Sequence, residues 1–289
     1  MVVAPDQSMR VISWNILHGQ VIPPNLQTSQ LTSLKTATHQ VVANYQPDFI
    51  CLQEVDFWQP RSDFINQTKV IAQTAGLNYW AFLPAIYGTP GEKWKKVKDL
   101  ENSIITEENE NLVTKPSYGV GIATNKPIAR FFTKELGKSW IGLPLMIPSE
   151  SGKGGRFIYV KDEPRVALVA QLGSGITIAT THLSFVPGVN INQLNRLGKY
   201  LDNLPGIKIL AGDLNLPANL PSKVSRFRSL AQTHTYPSWK EKIQFDYIMA
   251  NGKSLKKNLV SAELIKNSER PIISDHIPIG VHIKFQQEL

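Results

Sequence analysis

The sequence has a single cysteine, Cys51, which excludes an intrachain disulfide bond. Cys51 lies in an apolar run at residues 49–52, so we expect a buried strand residue rather than a reactive thiol. No apolar run reaches the roughly 18 residues of a transmembrane helix. Residues 1–10 also lack the basic region and apolar core of a secretory signal. These absences predict a soluble, cytoplasmic protein.

The chain also lacks internal repeats, low-complexity linkers and the composition of a disordered tail. Its 289 residues, 42% of them hydrophobic, suit one large globular domain or at most two, and we expect a single domain that spans residues 1–289. The formal net charge of +8 favours an anionic partner, such as nucleic acid, a phosphorylated small molecule or an acidic membrane surface. The charge does not choose among these three classes. We expect a monomer that acts on an anionic substrate.

Short runs rich in β-branched and aromatic residues recur along the chain, and helical periodicity fills some of the gaps between them. The predicted strands are residues 10–14, 48–53, 119–124, 165–172, 176–181, 207–211, 245–250 and 279–285. The predicted helices are residues 28–45, 62–75 and 190–203. Many strands with a few helices indicate an α+β or α/β sandwich.

A polar stretch at residues 88–117 interrupts this pattern. It contains lysines at positions 93, 95, 96 and 98 and then acidic residues at 107, 108 and 110. We expect an insertion loop within the domain, because loops of this length in compact domains are usually functional or mobile. The lysines could meet a polyanionic substrate; the alternative is a solvated loop that contacts nothing.

Polar side chains lie where several predicted strands begin or end. These residues are Asn15, Glu54, His182, Asp213, Asn215, Asp246, Asp275 and His276. A single Asp or Asn after a strand is most often a turn residue or a helix cap. The ends of several strands in a packed sandwich can converge at one rim, however, and the whole set then indicates a site.

Hard oxygen ligands from Asn15, Glu54 and Asp275 would suit Mg²⁺, with Mn²⁺ as the alternative. Zinc is disfavoured because the chain has no Cys–His cluster at ligand spacing. Two histidines near such a metal would supply groups that titrate near neutral pH.

The ordered motifs NxxHG, QEV, GVGIAT, EPR, THL, GDLN, FDYI and SDHIP resemble those of the endonuclease/exonuclease/phosphatase superfamily. This superfamily includes pancreatic deoxyribonuclease, exonuclease III-like repair endonucleases, bacterial sphingomyelinases and inositol polyphosphate 5-phosphatases. The resemblance runs from about Arg10 to Phe285. It implies a deoxyribonuclease I-like, four-layer α/β sandwich, in which two mixed sheets pack face to face with helices outside. It also implies a metal-dependent enzyme that hydrolyses a phosphoester by direct attack of water.

The resemblance assigns a role to each motif residue. Glu54 matches the magnesium-binding glutamate, with Asn15 beside it and Asp275 completing or supporting the site. His276 matches the catalytic histidine, which would act as general base, and Asp246 matches the aspartate that orients it. Asp213 is the competing candidate for the base.

The remaining motif residues would contact the substrate. Asp213 and Asn215 match a pair that positions the nucleophile and a phosphate oxygen. His182 matches a histidine of the deoxyribonuclease and sphingomyelinase branches, which binds phosphate or assists the leaving group. His18 would lie at the rim of the site or cap a turn. Arg165 would contact phosphate or, as we favour, pair with a carboxylate inside the sandwich.

The identity of the substrate remains undetermined, because members of one superfamily act on different substrates. We expect a nuclease or phosphodiesterase; the net charge and the lysines at 93–98 favour nucleic acid. The alternative is a lipid head-group or inositol phosphate phosphatase, or a sphingomyelinase-like enzyme, which His182 favours. A non-catalytic binding scaffold is a third class, and the intact set of motif residues argues against it.

Overall fold

The structure is a computed structural model that describes residues 8–24, 28–148, 155–266 and 269–286. Its strands are β1 (Ser8–Asn15), β2 (Phe49–Phe57), β3 (Tyr79–Gly88), β4 (Trp94–Lys96), β5 (Ser117–Thr124), β6 (Ile128–Gly137), β7 (Leu143–Pro148), β8 (Gly155–Val160), β9 (Arg165–Leu172), β10 (Ile176–His182), β11 (Ile207–Asp213), β12 (Phe227–Ser229), β13 (Asp246–Asn251), β14 (Val260–Leu264) and β15 (Ile279–Phe285). Its helices are α1 (Gln30–Tyr45), α2 (Gln67–Ala75), α3 (Val189–Asp202), α4 (Leu220–Val224) and α5 (Gly252–Lys256). Within these described ranges, no helix is long and apolar enough to span a bilayer.

The strands form two mixed sheets and a separate hairpin. The first sheet has the order β14-β15-β1-β2-β5-β3-β4, and the second has the order β12-β13-β11-β10-β9-β6. Each sheet contains one parallel pair, β1 with β2 and β10 with β11, among antiparallel neighbours. Strands β7 and β8 form a two-stranded sheet of their own.

Alternate residues of the central strands enter different cores. Val11 of β1 packs between the two sheets, whereas Ile12 faces the helices α1 and α2. In β9, Leu168 packs between the sheets and Val169 faces α3. Both faces of these strands are buried, so their sequences are apolar along the whole length instead of alternating. The layers are therefore helices, sheet, sheet and helix, and the predicted four-layer α/β sandwich is confirmed.

Helix α2 begins later than the sequence predicts. A 3₁₀ turn at Pro60–Ser62 and left-handed residues at Asp63 and Phe64 precede it. The side chain of Asn66 then accepts a hydrogen bond from the Lys69 backbone N–H and caps the helix. Apolar periodicity alone did not locate this cap.

The ends of the parallel strands meet at one rim of the sandwich. Asn15 pairs with Gln53 in the first sheet, and Asp213 pairs with both His182 and Asp246 in the second. A hydrogen bond of 3.0 Å from Gln53 Nε2 to Thr180 Oγ1 links the sheets behind this rim. The fold thus brings together the motif residues that are far apart in the sequence.

Two further segments leave and re-enter the sheets at the same rim. Residues 88–117 connect β3 to β5 and contain β4 and two 3₁₀ turns, Glu101–Ser103 and Glu110–Leu112. Residues 138–164 connect β6 to β9 and contain the β7–β8 hairpin. Strand β6 ends at Gly137 opposite Arg165, so the base of this hairpin adjoins the strand ends.

Candidate active site

A β-bulge lifts Glu54 out of the pleat of β2. The pairing of β2 with β5 shifts register between Leu52 and Val55, and Glu54 has a φ of 55°. A non-glycine residue costs free energy in this left-handed region and persists only where its surroundings fix it. Bulges re-aim side chains, and this one brings Glu54 Oε1 to 4.0 Å from His182 Nδ1 in the other sheet.

Other residues of the rim motifs share this unusual backbone conformation. They are Leu17, His18, Asn215 and Ser274, with φ values between 43° and 75°. The Ser274 hydroxyl donates to the Asn15 carbonyl at 2.7 Å and accepts from the His276 N–H at 3.0 Å. Ser274 therefore fixes the segment that carries Asp275 and His276 against the end of β1.

Asn15 bridges carboxylates of the two sheets. Its Nδ2 donates to Glu54 Oε1 at 2.9 Å and to Asp213 Oδ2 at 3.0 Å. Its Oδ1 accepts from the Leu17 backbone N–H at 3.0 Å, which fixes the orientation of the amide. A carbonyl oxygen has two lone pairs, so Oδ1 keeps one acceptor position beside this bond.

His276 and Asp246 form a buried pair. His276 Nδ1 lies 2.8 Å from Asp246 Oδ2, and its Nε2 points towards Asp213 Oδ2 at 3.7 Å. Burial would lower the pKa of His276, but the carboxylates of Asp246 and Asp213 outweigh it and raise the pKa well above the usual value. The Tyr236 ring packs 5.0 Å from the imidazole and covers it. His276 is therefore held as a cation.

His182 differs from His276 in its charge, because its pKa is shifted in the opposite direction. Burial and the positive charge of Arg165 hold its pKa well below the usual value, so it is neutral. The Asn215 Nδ2 donates to the Leu183 carbonyl at 3.0 Å and lies 3.1 Å from His182 Nε2. Because that nitrogen can only donate, Nε2 accepts and the proton resides on Nδ1, which faces Glu54.

The carboxylates at the rim repel one another. Burial and the neighbouring charge of Asp275 raise the pKa of Glu54 to about 7, and burial raises the pKa of Asp213 to about 6. Asp246 Oδ1 and Asp275 Oδ1 are buried and have no hydrogen-bond partner among the described residues. Buried acceptors usually find a partner. The rim thus has an excess of oxygen acceptors and too few cations.

This donor set fits a hard divalent cation, because Mg²⁺ and Mn²⁺ prefer carboxylate and amide oxygens. Glu54 and Asp275 offer two carboxylates whose mutual repulsion a cation would remove. A second group, Asp213, Asp246 and His276, has ligand atoms within 4.8 Å of one another. The protonated imidazole of His276 makes the second group the poorer choice.

Arg165 lies in a buried ion cluster behind His182. Its Nη2 is 3.1 Å from both Asp162 Oδ1 and Glu163 Oε1. Arg165 is 3% exposed, and its Nε has no partner among the described residues. These contacts correspond to the carboxylate pairing that the sequence favours for Arg165.

His18 lies beside the rim and makes no hydrogen bond to the other motif side chains within the described residues. Burial and the charge of Arg61 lower its pKa to about 3, so it is neutral. Its backbone carbonyl accepts from Gln67 Nε2 at 2.7 Å. The strand end and the start of α2 therefore hold His18 through its backbone.

The sequence interpretation missed Arg61, whose charge also acts on Glu54. Its Nε and Nη2 donate to the two carboxylate oxygens of buried Asp56, each at 2.8 Å, and its guanidinium lies 5.7 Å from the Tyr118 ring centroid. A signal was available, because an acid at the end of a buried strand needs a cation nearby.

The chain is similar to one known protein family and to several solved structures. The model of the endonuclease/exonuclease/phosphatase family matches residues 12–276. A protein of that description from Beutenbergia cavernae DSM 12333 has a TM-score of 0.58 at 16% identity, over 97% of this chain and 72% of the other. Truncated Caenorhabditis elegans TDP2 has a TM-score of 0.55 at 16% identity, over 96% of this chain and 98% of the other. A mannosyl-6-phosphatase of Bacteroides thetaiotaomicron VPI-5482 has a TM-score of 0.55 at 14% identity, over 96% of this chain and 100% of the other. No curated protein sequence matches the chain significantly.

The structural neighbours share the fold at low identity, and the family match covers 12–276 of the 289 residues. The motif residues at the rim lie within or at the end of that range. Members of this family hydrolyse phosphoesters. The chain belongs to the endonuclease/exonuclease/phosphatase family.

Proposed function

We propose that the protein is a Mg²⁺-dependent phosphodiesterase that hydrolyses its substrate by direct attack of water. The observation that carries the proposal is the His276–Asp246 pair, which faces Asp213 across 3.7 Å while Glu54 reaches the same rim from the other sheet. Among the described residues no nucleophilic serine or cysteine competes at the rim, because Cys51 is buried and the Ser274 hydroxyl is engaged in two hydrogen bonds. Water is therefore the attacking group.

Glu54 and Asp275 would hold the metal ion, with Asn15 positioning Glu54 and offering its remaining acceptor site. Mn²⁺ could replace Mg²⁺ at such a site. The ion would supply Lewis-acid stabilisation of the charge that develops on the phosphoryl oxygens. The raised pKa of Glu54 supports this assignment, as does Asp275 Oδ1, which is buried with no hydrogen-bond partner in the described part of the chain.

The proton of the attacking water would pass to the Asp213–His276 pair. The neighbouring carboxylates keep His276 protonated, which favours the Asp213 carboxylate as the acceptor. His276 would then donate a hydrogen bond from Nε2 to a phosphoryl oxygen, and Asp246 would hold its ring in place. The water oxygen forms the new bond to phosphorus as the bond to the leaving oxygen breaks.

His182 would bind the phosphoryl group on the other side of Asp213, with Asn215 holding its ring in place. His182 is neutral, and the 3.1 Å contact from Asn215 Nδ2 to Nε2 leaves the ring proton on Nδ1. A neutral donor adds stabilisation as negative charge develops without repelling the metal ion.

Nucleic acid is one substrate class, supported by the net charge and by the similar fold of Danio rerio TDP2 in complex with a single-strand DNA product. A lipid head group or a phosphorylated small molecule is the alternative; the mannosyl-6-phosphatase shows that the fold also accommodates a phosphatase. The intact rim argues against a non-catalytic scaffold.

A substrate screen tests the proposal. Purified protein with Mg²⁺ or Mn²⁺ would be assayed on bis(p-nitrophenyl) phosphate, plasmid DNA, RNA, sphingomyelin and phosphatidylcholine, with Asp213→Asn as the inactive control. We expect hydrolysis of the soluble diester that Asp213→Asn abolishes. Absence of turnover on every diester with either metal would contradict the proposal.

A further inference from the structure

The β7–β8 hairpin exposes an unusual amount of apolar surface. Trp140 is 99% exposed, Ile141 61%, Phe157 72% and Tyr159 61%. Single exposed apolar residues are common on proteins, but a contiguous group of large ones marks an interaction site. These four residues belong to one short segment of the chain, on the two arms that form and flank this hairpin.

The described exposed side chains of this segment are apolar apart from the Tyr159 hydroxyl, which accepts a hydrogen bond from the Gly142 N–H at 2.8 Å. Residues 140–148 include no charged, amide or hydroxyl side chain. Pro144 lies opposite Tyr159 in the register of the hairpin, and Phe157 is two residues from Tyr159 on the same face. All three are exposed. The described residues of this face therefore offer mainly apolar area.

The base of the hairpin is fixed to the strands of the active site. Buried Asp162 accepts from the Ser139 N–H at 2.6 Å, from the Ser184 hydroxyl at 2.8 Å and from Arg165 Nη2 at 3.1 Å. Ser184 follows the end of β10, where His182 lies. The hairpin thus rises from the same rim as the catalytic groups.

Lysines surround this base. Lys138 and Lys161 are exposed; Lys138 directly follows β6 on the way into the hairpin, and Lys161 directly follows β8. The Nζ of Lys138 is 5.5 Å from the ring centroid of Trp94, which places β4 and its exposed neighbour Lys95 next to the hairpin. An apolar hairpin with lysines at its base is complementary to a partner with an apolar interior and an anionic surface.

We propose that this hairpin docks the protein on an anionic phospholipid bilayer. Trp140, Phe157 and Tyr159 enter the interfacial region, where aromatic rings are favoured. Lys138 and Lys161 contact the anionic head groups. The rim then faces the membrane, and its substrate is the phosphodiester of a phospholipid head group; this last step rests on the proposed function.

Single-stranded nucleic acid is the competing partner, because bases also stack on aromatic rings beside lysines. The aliphatic residues of the hairpin decide between the two. Ile141, Leu143 and Pro144 cannot stack with bases, whereas a bilayer buries aliphatic and aromatic side chains alike.

Vesicle co-sedimentation tests the docking without any turnover. The probes are vesicles of pure phosphatidylcholine and of phosphatidylcholine mixed with phosphatidylserine, and a fluorescent single-stranded oligonucleotide serves as the competing ligand. The variants are Trp140→Ser with Phe157→Ser, and Lys138→Ala with Lys161→Ala. The matched control is Tyr79→Ser, which removes an exposed aromatic residue at the opposite end of the first sheet, where Tyr79 pairs with Thr124.

We expect wild type and Tyr79→Ser to bind the mixed vesicles equally. The aromatic double variant should bind them at least about tenfold more weakly, and the lysine double variant should lose the preference for phosphatidylserine. All variants should keep wild-type hydrolysis of a soluble diester and the same melting temperature. Failure of wild type to bind vesicles, or equal binding by wild type and the aromatic variant, would overturn the docking. It would also be overturned if the aromatic variant lost binding to the oligonucleotide but kept binding to the vesicles. Docking with no hydrolysis of any diester would leave the hairpin assignment standing and refute the proposed function.

Discussion

His182 and His276 approach the same carboxylate oxygen, Asp213 Oδ2, at 3.6 Å and 3.7 Å, yet their surroundings move their pKa values in opposite directions. Burial and the charge of Arg165 disfavour protonation of His182, whereas Asp246 and Asp213 outweigh burial and favour protonation of His276. One histidine is thus neutral and the other cationic on either side of one aspartate. Such a separation of pKa values indicates distinct acid–base roles.

His276→Ala and Asp246→Asn are each expected to lower kcat by at least about a hundredfold. The double variant should lose scarcely more than His276→Ala, because the two residues act as one unit. Steady-state kinetics on a soluble diester measure all three. Losses that multiply in the double variant would show that Asp246 acts independently of His276.

Glu54→Gln is expected to stabilise the metal-free protein, since it removes a buried charge together with its repulsion by Asp275, and these two effects raise the pKa of Glu54. The increase in melting temperature should be on the order of a few degrees. The same variant should lose most of the stabilisation that added Mg²⁺ gives to wild type. Glu263→Gln, a change of an exposed acid on β14, is the control and should leave both quantities unchanged. A wild-type Mg²⁺ response in Glu54→Gln would remove Glu54 from the ligand set.

Arg165→Met is expected to destabilise the fold by about 3–5 kcal/mol, because it leaves Asp162 and Glu163 buried without a cation. Urea unfolding measures this loss, and Lys284→Ala, which breaks an exposed ion pair, should cost no more than about 1 kcal/mol. Arg165→Lys keeps the charge and should retain most of the stability and activity. A stable Arg165→Lys protein with a large rise in KM would instead point to a direct phosphate contact.

His18 should make the protein less stable in acid. Burial and the charge of Arg61 lower its folded-state pKa to about 3, whereas the unfolded chain takes up this proton near pH 6.5. Between these values the unfolded state binds more protons, so the free energy of unfolding falls as the pH is lowered, by at most about 1.4 kcal/mol per pH unit. His18→Asn should reduce this dependence between pH 6 and pH 4 by up to about that slope. An unchanged slope would mean that His18 is protonated in the folded state.

The sequence predicted β9 well because both of its faces are buried, and β15 because Ile279, Val281 and Ile283 alternate along its buried face. Both strands begin and end at the predicted residues. Strand β6 was missed because Arg130 and Lys134 interrupt an edge strand that is only partly buried. The aliphatic run of β7 was likewise not predicted as a strand; it pairs with β8 in a sheet apart from the two large ones.

The polar residues at the rim were predictable because each follows or precedes a strand, and strand ends converge in a sandwich. The tautomer of His182 could not be predicted, because it depends on Asn215, 33 residues away in the sequence. The orientation of the Asn15 amide and the Arg61–Asp56 pair also arise only from tertiary contacts.

The central claim is a metal-dependent attack of water at this rim. The most direct test is hydrolysis of bis(p-nitrophenyl) phosphate in ¹⁸O-labelled water, with Mg²⁺ and then with excess EDTA, by wild type and Asp213→Asn. We predict turnover only by wild type with Mg²⁺, and one ¹⁸O atom in the phosphoryl product after a single turnover of enzyme in excess over substrate. Full turnover in EDTA, or a first turnover that leaves the label out of the product, would contradict it.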